Sequence, residues 1–388
     1  MKIEDELLLL LCGKAIHKES EDIFAGYRYS NLDVDYLINT ALHQGLFYFL
    51  YPELLRCEGG RLSQSEKERL KRIALQLAKR AMLKAAELVR IVETVSRQGI
   101  PIIPFKGPIL AQYLYGDFCA RDCGDVDFLI KPENVESVIS VLEEMGYKRL
   151  FSMGEEVLAK YLQIESELQL FHPKGVVVEL HWEATGRFTH LPVDVNLLQS
   201  STIEEVFCGK KIPQFGDNHL LVYLCIHGSR HGWSKLEWLF GVACLLKNDK
   251  RISLEKTLQI AKQLGCQKLV VYSLYLACTV FKTPIPELVN THAKAQRRIL
   301  QLVDKSINSL FPLAQGGDIK RGARFAVENI ILHDTAWHVI RYLIKQVFWP
   351  RMADVKYIPL PPWAFFLYYL FRPFRLVTEG VKVMLKRS

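Results

Sequence analysis

The sequence predicts an α+β protein in which a small mixed-sheet core separates an N-terminal helical region from a larger C-terminal one. Three observations predict this. Before residue 100 the apolar residues recur at helical spacing. At Ile100 the texture changes to short β-rich runs punctuated by Pro and Gly. From about Asp217 helical periodicity returns, and no strand is expected after about residue 215. The expected divisions are 1–100 (helical), 101–190 (the α/β core), 191–356 (helical) and 357–388 (a basic, aromatic amphipathic tail).

Along the chain, Asp33 to Tyr51 carries apolar residues at helical spacing, and Ser63 to Gln98 is a long run of helix formers. Ser63 with Glu66 three residues later fits a capping box, and Gly99 ends the run. Pro101 to Phe105 suits a strand between turns, Gly107 to Tyr115 a helix and Val126 to Ile130 a strand. Pro132 to Met145 reads as an amphipathic helix with Pro in its first turn and Gly146 at its end. Glu167 to Phe171 and Val176 to Trp182 are strands around a Pro173-Lys174-Gly175 hairpin turn. Leu220 to Ile226, Leu236 to Leu246, Leu254 to Leu264 and Leu269 to Phe281 are successive helical segments.

Composition is that of a globular protein: 49% hydrophobic and 24% charged over 388 residues, with 11% aromatics arguing against disorder. The N-terminus is acidic with a short apolar run, unlike a secretory signal. Nine cysteines without paired spacing suit free thiols in a reducing cytoplasm rather than a zinc or disulfide framework. The formal net charge is +8, and from Val339 onward nine Lys/Arg face two acids, so that segment alone carries +7. With the excess confined there and no aromatic–basic interleaving elsewhere, nucleic acid is not the expected partner.

Asp125 and Asp127 stand two apart at the predicted strand, so period-2 geometry turns both carboxylates to one face. Adjacent carboxylates repel unless a cation lies between them, and a hard divalent ion with oxygen ligands meets that need. Taken alone, such a pair is more often a solvated strand edge. Its surroundings bear on the choice. Lys106-Gly107 lies at a strand-to-helix junction, where glycine admits a phosphate close to the free N–H groups of a helix start. Arg121 stands four residues before Asp125 and either reaches the same phosphates or pairs with the aspartates. Glu179 offers a third carboxylate from another strand, with His181 on its face, to complete a metal site or to serve as a base.

These motifs in combination (Phe105-Lys106-Gly107, Leu114-Tyr115-Gly116-Asp117, Arg121-x-x-x-Asp125-x-Asp127, Val176-Val-Val-Glu179-Leu-His181-Trp182 and Leu224-Cys-Ile-His227-Gly-Ser-Arg-His231-Gly-Trp233) resemble the uncharacterised bacterial nucleotidyltransferase family, within the DNA polymerase β-like superfamily. The resemblance covers most of the chain. It implies a mixed-sheet nucleotidyltransferase core, Mg²⁺ or Mn²⁺ as cofactor, an NTP donor, and transfer of a nucleoside monophosphate to a sugar, lipid or peptide. By position it implies Asp125, Asp127 and Glu179 as catalytic metal ligands, and Lys106, Gly107 and Arg121 as phosphate contacts. Two positions depart from the family pattern. Pro108 follows Gly107 and offers no N–H. Gly241 stands where an aspartate is expected. A catalytically inactive binding or scaffold protein of the same fold is therefore the alternative.

His227 and His231 share a helical face and read as core histidines, phosphate contacts or metal ligands; Gly228 in place of a glutamate argues against protease chemistry. In the tail, Trp363 to Phe371 precedes Arg372, Arg375, Lys382, Lys386 and Arg387. The apolar run of about 15 residues is short of the roughly 20 that span a bilayer. Residues 357–388 then either dock on the protein or lie at the inner face of the membrane, making the protein cytoplasmic and peripheral.

Overall fold

The computed structural model describes residues 1–18, 23–24, 32–56, 62–149, 155–186, 198, 201–247, 251–311, 313 and 330–385, without the side chains of 155, 362 and 379–385. Lys386, Arg387 and the side chain of Lys382 thus lie outside the described residues. The architecture is α+β, as expected. The N-terminal region is helical at Ile3–His17, Val34–His43, Phe47–Arg56 and Gln64–Arg97. The segment from Asp33 to Tyr51 is two helices rather than one. They part at Gly45, whose φ of +74° favours glycine. Ser63 and Glu66 form the expected capping box, each side chain accepting from the other's backbone N–H.

A five-stranded mixed sheet is built from β1 (Ile103–Pro104), β2 (Val126–Leu129), β3 (Lys148–Arg149), β4 (Glu167–His172) and β5 (Val176–His181), in the order β1-β2-β5-β4-β3. The β2–β5 pair is parallel and the other pairs are antiparallel. Helices Gly107–Tyr115, Val135–Glu144 and Glu155–Ile164 connect the strands. Sequence periodicity missed the last of these, and also an antiparallel hairpin of β6 (Thr202–Phe207) and β7 (Lys210–Phe215). The hairpin carries Glu204, Glu205, Lys210 and Lys211, and its buried residues cluster at Phe207 and along 212–215, so it lacks the continuous apolar alternation that marks a strand in sequence.

Alternation along β2 and β5 divides the interior. Val126, Phe128, Val176, Val178, Leu180 and Trp182 point to one core, beneath Leu88, Ile91 and Val95 of the long helix and Val138 and Leu142. Phe105 and Leu129 belong to a second core with Phe215, Leu220, Tyr223 and the C-terminal helices. Those helices are Asp217–Arg230, Leu236–Leu246, Leu254–Gln263, Gln267–Val280, Glu287–Lys294 and Arg297–Leu310; Ala336–Phe348, Met352–Tyr357 and Leu367–Leu385 follow outside that core. The polar positions Asp127, Glu179 and His181 therefore emerge at the seam between sheet and helices. Among the described residues, no helix is long and apolar enough to cross a membrane.

Candidate active site

The register of β2 on β5 creates the site. Asp127 and Glu179 are direct partners across the parallel pair, and His181 follows Glu179 on the same face. One ligand atom each from Asp127, Glu179 and His181 lies within 4.8 Å of the others. Asp127 and His181 are almost fully buried, and Glu179 is half-buried. His181 Nε2 lies 3.0 Å from Asp127 Oδ1 and 3.3 Å from Glu179 Oε2, and its Nδ1 is 3.3 Å from Glu167 Oε2. The Gln169 amide donates to Glu179 Oε1, and the ring of Phe105 meets His181 edge-on at 5.1 Å.

Lys106 completes this cluster by donating from Nζ to Asp127 Oδ1 at 2.8 Å. Burial pushes Asp127 up, but the Lys106 ammonium and the His181 hydrogen bond outweigh it and hold the carboxyl well below the usual carboxylate range. Burial disfavours the charged forms of Lys106 and His181, yet the contact with Asp127 raises both. Asp125 stands one residue before β2, not within it, and is not one of the three mutually close ligands. Burial, then repulsion from Asp127 and Glu179, push its carboxyl up to about 6.

Gly107 opens its helix at φ +68°, and an added Cβ there would meet the Asp125 carbonyl at 3.4 Å. Lys106 precedes it in extended conformation at the N-cap, with Pro108 in the first turn. The helix start thus abuts the chain entering β2. Pro108 removes one N–H, but those of Gly107 and Ile109 still belong to a first turn without intrahelical acceptors.

Arg121 does not bond to the aspartates. It forms a buried ion pair with Glu237 on helix Leu236–Leu246, and that carboxylate holds the guanidinium protonated against the cost of burial. Glu237 itself packs against Gly45, where an added Cβ would collide with its carboxylate at 2.1 Å. Arg121, Glu237, Lys106, Tyr223, His227, Trp238 and Gly241 line one narrow cleft beside the carboxylates. Gly241 lies one turn after Glu237, facing Leu114 and the Tyr115 hydroxyl.

His227 and His231 do share a face, with ring centroids 4.8 Å apart, and Trp238 contacts both. Burial first, then neighbouring cations, push His227 well below its ordinary value and His231 down to about 4. Without an anion beside them, both are therefore neutral at physiological pH. Asp117 is structural: it accepts from the Cys119 backbone and from Tyr48 Oη. Sequence reasoning placed His181 beside Glu179 without assigning it a ligand's role, although acid-x-His on one strand was the available signal. Glu237 carried no signal, because only the fold brings its helix to Arg121.

No curated protein matches the chain. Among solved structures, the lincosamide antibiotic adenylyltransferase LnuA with bound lincomycin is 18% identical, covering 35% of this chain and 83% of that one, at a TM-score of 0.26. An antigenic nucleotidyltransferase-like protein from Paracoccidioides brasiliensis is 12% identical, covering 53% and 93% respectively, at a TM-score of 0.30. Residues 30–282 match the family described as uncharacterised nucleotidyltransferase, and with well over half of its length inside that match the chain belongs to this family of nucleotidyltransferases.

Proposed function

We propose that the protein transfers a nucleoside monophosphate from an NTP to a hydroxyl or phosphate on a sugar, lipid or peptide, with Mg²⁺ or Mn²⁺ bound at Asp127, Glu179 and Asp125. The observation that carries this reading is the Asp127–Glu179 pair across β2 and β5, with Asp125 at its edge and the Lys106-Gly107 helix start beside it. The donor set suits a hard cation: the carboxylates of Asp127, Glu179 and Asp125 are crowded, and repulsion from the other two adds to burial in raising Asp125 to about 6. A bound divalent ion supplies charge neutralisation for the triphosphate and the departing pyrophosphate. Lys106 and the free N–H groups at the helix start hold the phosphates. Arg121, aimed by Glu237, lines the narrow cleft beside the carboxylates and meets the nucleotide or the acceptor at its mouth. The attacking oxygen of the acceptor forms a bond to the α-phosphorus, pyrophosphate leaves, and Glu179 is placed to take the acceptor's proton or to complete the metal site. The tail 357–388 brings this chemistry to the inner face of the membrane.

The decisive experiment incubates the protein with each labelled NTP and Mg²⁺ or Mn²⁺, alongside Asp127→Asn. Label transfer or metal-dependent NTP binding that the substitution abolishes supports the reading; absence of both in the intact protein overturns it. One observation favours a second reading, an inactive scaffold. Lys106 and His181 already neutralise Asp127, an arrangement that holds the sheet edge together without any ion. Under that reading Asp127→Asn leaves cellular phenotypes unchanged, whereas deleting 357–388 does not.

A further inference from the structure

Helix Ala336–Phe348 contains no buried residue, although its apolar residues are strictly arranged. Trp337, Ile340, Ile344 and Val347 follow at spacings of three and four, one stripe along one face, and all are exposed. In the segment that follows, Trp363 is 79% exposed and Phe374 70%. Among the described residues, thirteen of the 22 exposed large hydrophobics fall between Trp337 and Val377. A monomeric surface rarely gathers so many.

The back of this layer is fastened to the protein. Tyr368 is fully buried, and its hydroxyl bridges the backbone of Ile358 and Leu360 at 2.9 Å each. The Lys160 ammonium donates to the Leu360 carbonyl at 2.5 Å, and the Trp349 indole to the Ile164 carbonyl at 3.2 Å. Arg372 ties the two long helices together, donating to the Gln346 carbonyl and to Asp354, at 3.2 Å in each case. Arg375 also pairs with Asp354. Two of the tail's arginines are therefore structural, and the apolar front is held out by a built framework.

Charge identifies the occupant. Between Thr335 and Thr378 the only acid is Asp354, which is 3% exposed and committed to those arginines. Arg341 and Lys356 are exposed. Flanked by Asp334 and Glu379, the segment 335–378 is thus aromatic, apolar and strongly net positive. A second copy would bring two positive faces together, which is repulsive. An anionic bilayer complements both features: the rings enter the headgroup boundary and the cations meet the lipid phosphates.

We propose that helix Ala336–Phe348 and the segment 363–377 form one two-helix platform that lies on an anionic membrane surface. The proposal rests on the membrane-facing reading of 357–388 and enlarges it to a second helix, with the α/β core attached through Lys160 and Ile164.

The test is flotation of the full-length protein with vesicles of phosphatidylcholine alone, or with about a third phosphatidylglycerol. The wild type should float with the anionic vesicles and not with the neutral ones. The fluorescence of its exposed tryptophans should shift to the blue. Trp337→Ser/Ile344→Ser and Trp363→Ser/Phe374→Ser should each cut bound protein at least tenfold without changing the melting temperature, since all four residues are exposed. Arg341→Glu/Lys356→Glu should do the same. If only the 363–377 variant loses binding, the two-helix platform is wrong and the tail reading stands. If the wild type binds neither vesicle, or forms a dimer that Trp337→Ser disrupts, both are wrong. Asp127→Asn should float like the wild type, which separates this surface from the carboxylate site.

Discussion

Lys106 reaches back from the start of its helix to place its ammonium 2.8 Å from Asp127 Oδ1. The carboxylate best placed for a divalent ion therefore carries a cation already. A metal and Lys106 compete for one oxygen unless Lys106 moves to the phosphates when nucleotide enters. Lys106→Met should accordingly split two measurements. Mn²⁺ affinity without nucleotide, read by electron paramagnetic resonance, should rise roughly tenfold, the effect of about 1.4 kcal/mol. NTP affinity should fall by a similar factor or more. A loss in both would mean that Lys106 orders the site rather than competing within it.

Asp125 makes the complementary case. Its carboxyl is raised to about 6, so the folded state holds a proton that the unfolded chain has released. Between about pH 4 and pH 6 the folded state binds more protons, and stability falls as pH rises through that window. Two pKa units bound the effect at about 3 kcal/mol, and partial exposure of the side chain makes roughly 1–2 kcal/mol the expected value. With metal chelated, Asp125→Asn should therefore melt higher than the wild type at pH 7.5 and equal to it below pH 4. Added Mn²⁺ should stabilise the wild type and not the variant. Thermal melts at two pH values, with and without EDTA, decide it. A variant less stable at both would remove the charge-crowding argument.

What the sequence revealed and what it hid follow from range. Asp127, Glu179 and Lys106 were legible because each sits in a local pattern: an alternating strand, or a Lys-Gly at a strand-to-helix step. The parallel register that pairs Asp127 with Glu179 was not legible, since two strands facing one core can pair in either direction and at several offsets. The partner of Arg121 was not legible. Glu237 is 116 positions away, and only the packing of its helix beside Gly45 and Tyr115 decides that it, rather than Asp125, takes the guanidinium. Helix Ala336–Phe348 lay in a region read only as helical, and its lack of burial is a tertiary fact. The β6–β7 hairpin was hidden by its polar composition.

Gly107 is a backbone requirement. At φ +68° alanine is strained, and its Cβ would touch the Asp125 carbonyl at 3.4 Å. Gly107→Ala should cost about 1–2 kcal/mol of stability and displace the chain entering β2. NTP binding should suffer more than the melting temperature suggests. An alanine variant with unaltered NTP affinity would show that the helix start is not the phosphate site.

The Arg121–Glu237 pair gives the sharpest separation of structure from function. Both side chains are nearly out of water, with exposures of 11% and 4%. Glu237→Gln leaves a guanidinium buried without its counter-charge, so the loss of stability should be about 3–5 kcal/mol. Arg121→Met/Glu237→Leu removes both charges and should recover most of it, because apolar groups of similar volume replace a buried pair at little cost. If the pair only braces the fold, NTP binding and transfer in this double variant should return with stability. If Arg121 contacts the nucleotide or acceptor, the refolded double variant should remain at least tenfold impaired in kcat/KM while melting near the wild type. Melting and activity are measured on one sample, so a variant that recovers both assigns Arg121 to the framework, and one that recovers only the first assigns it to the reaction.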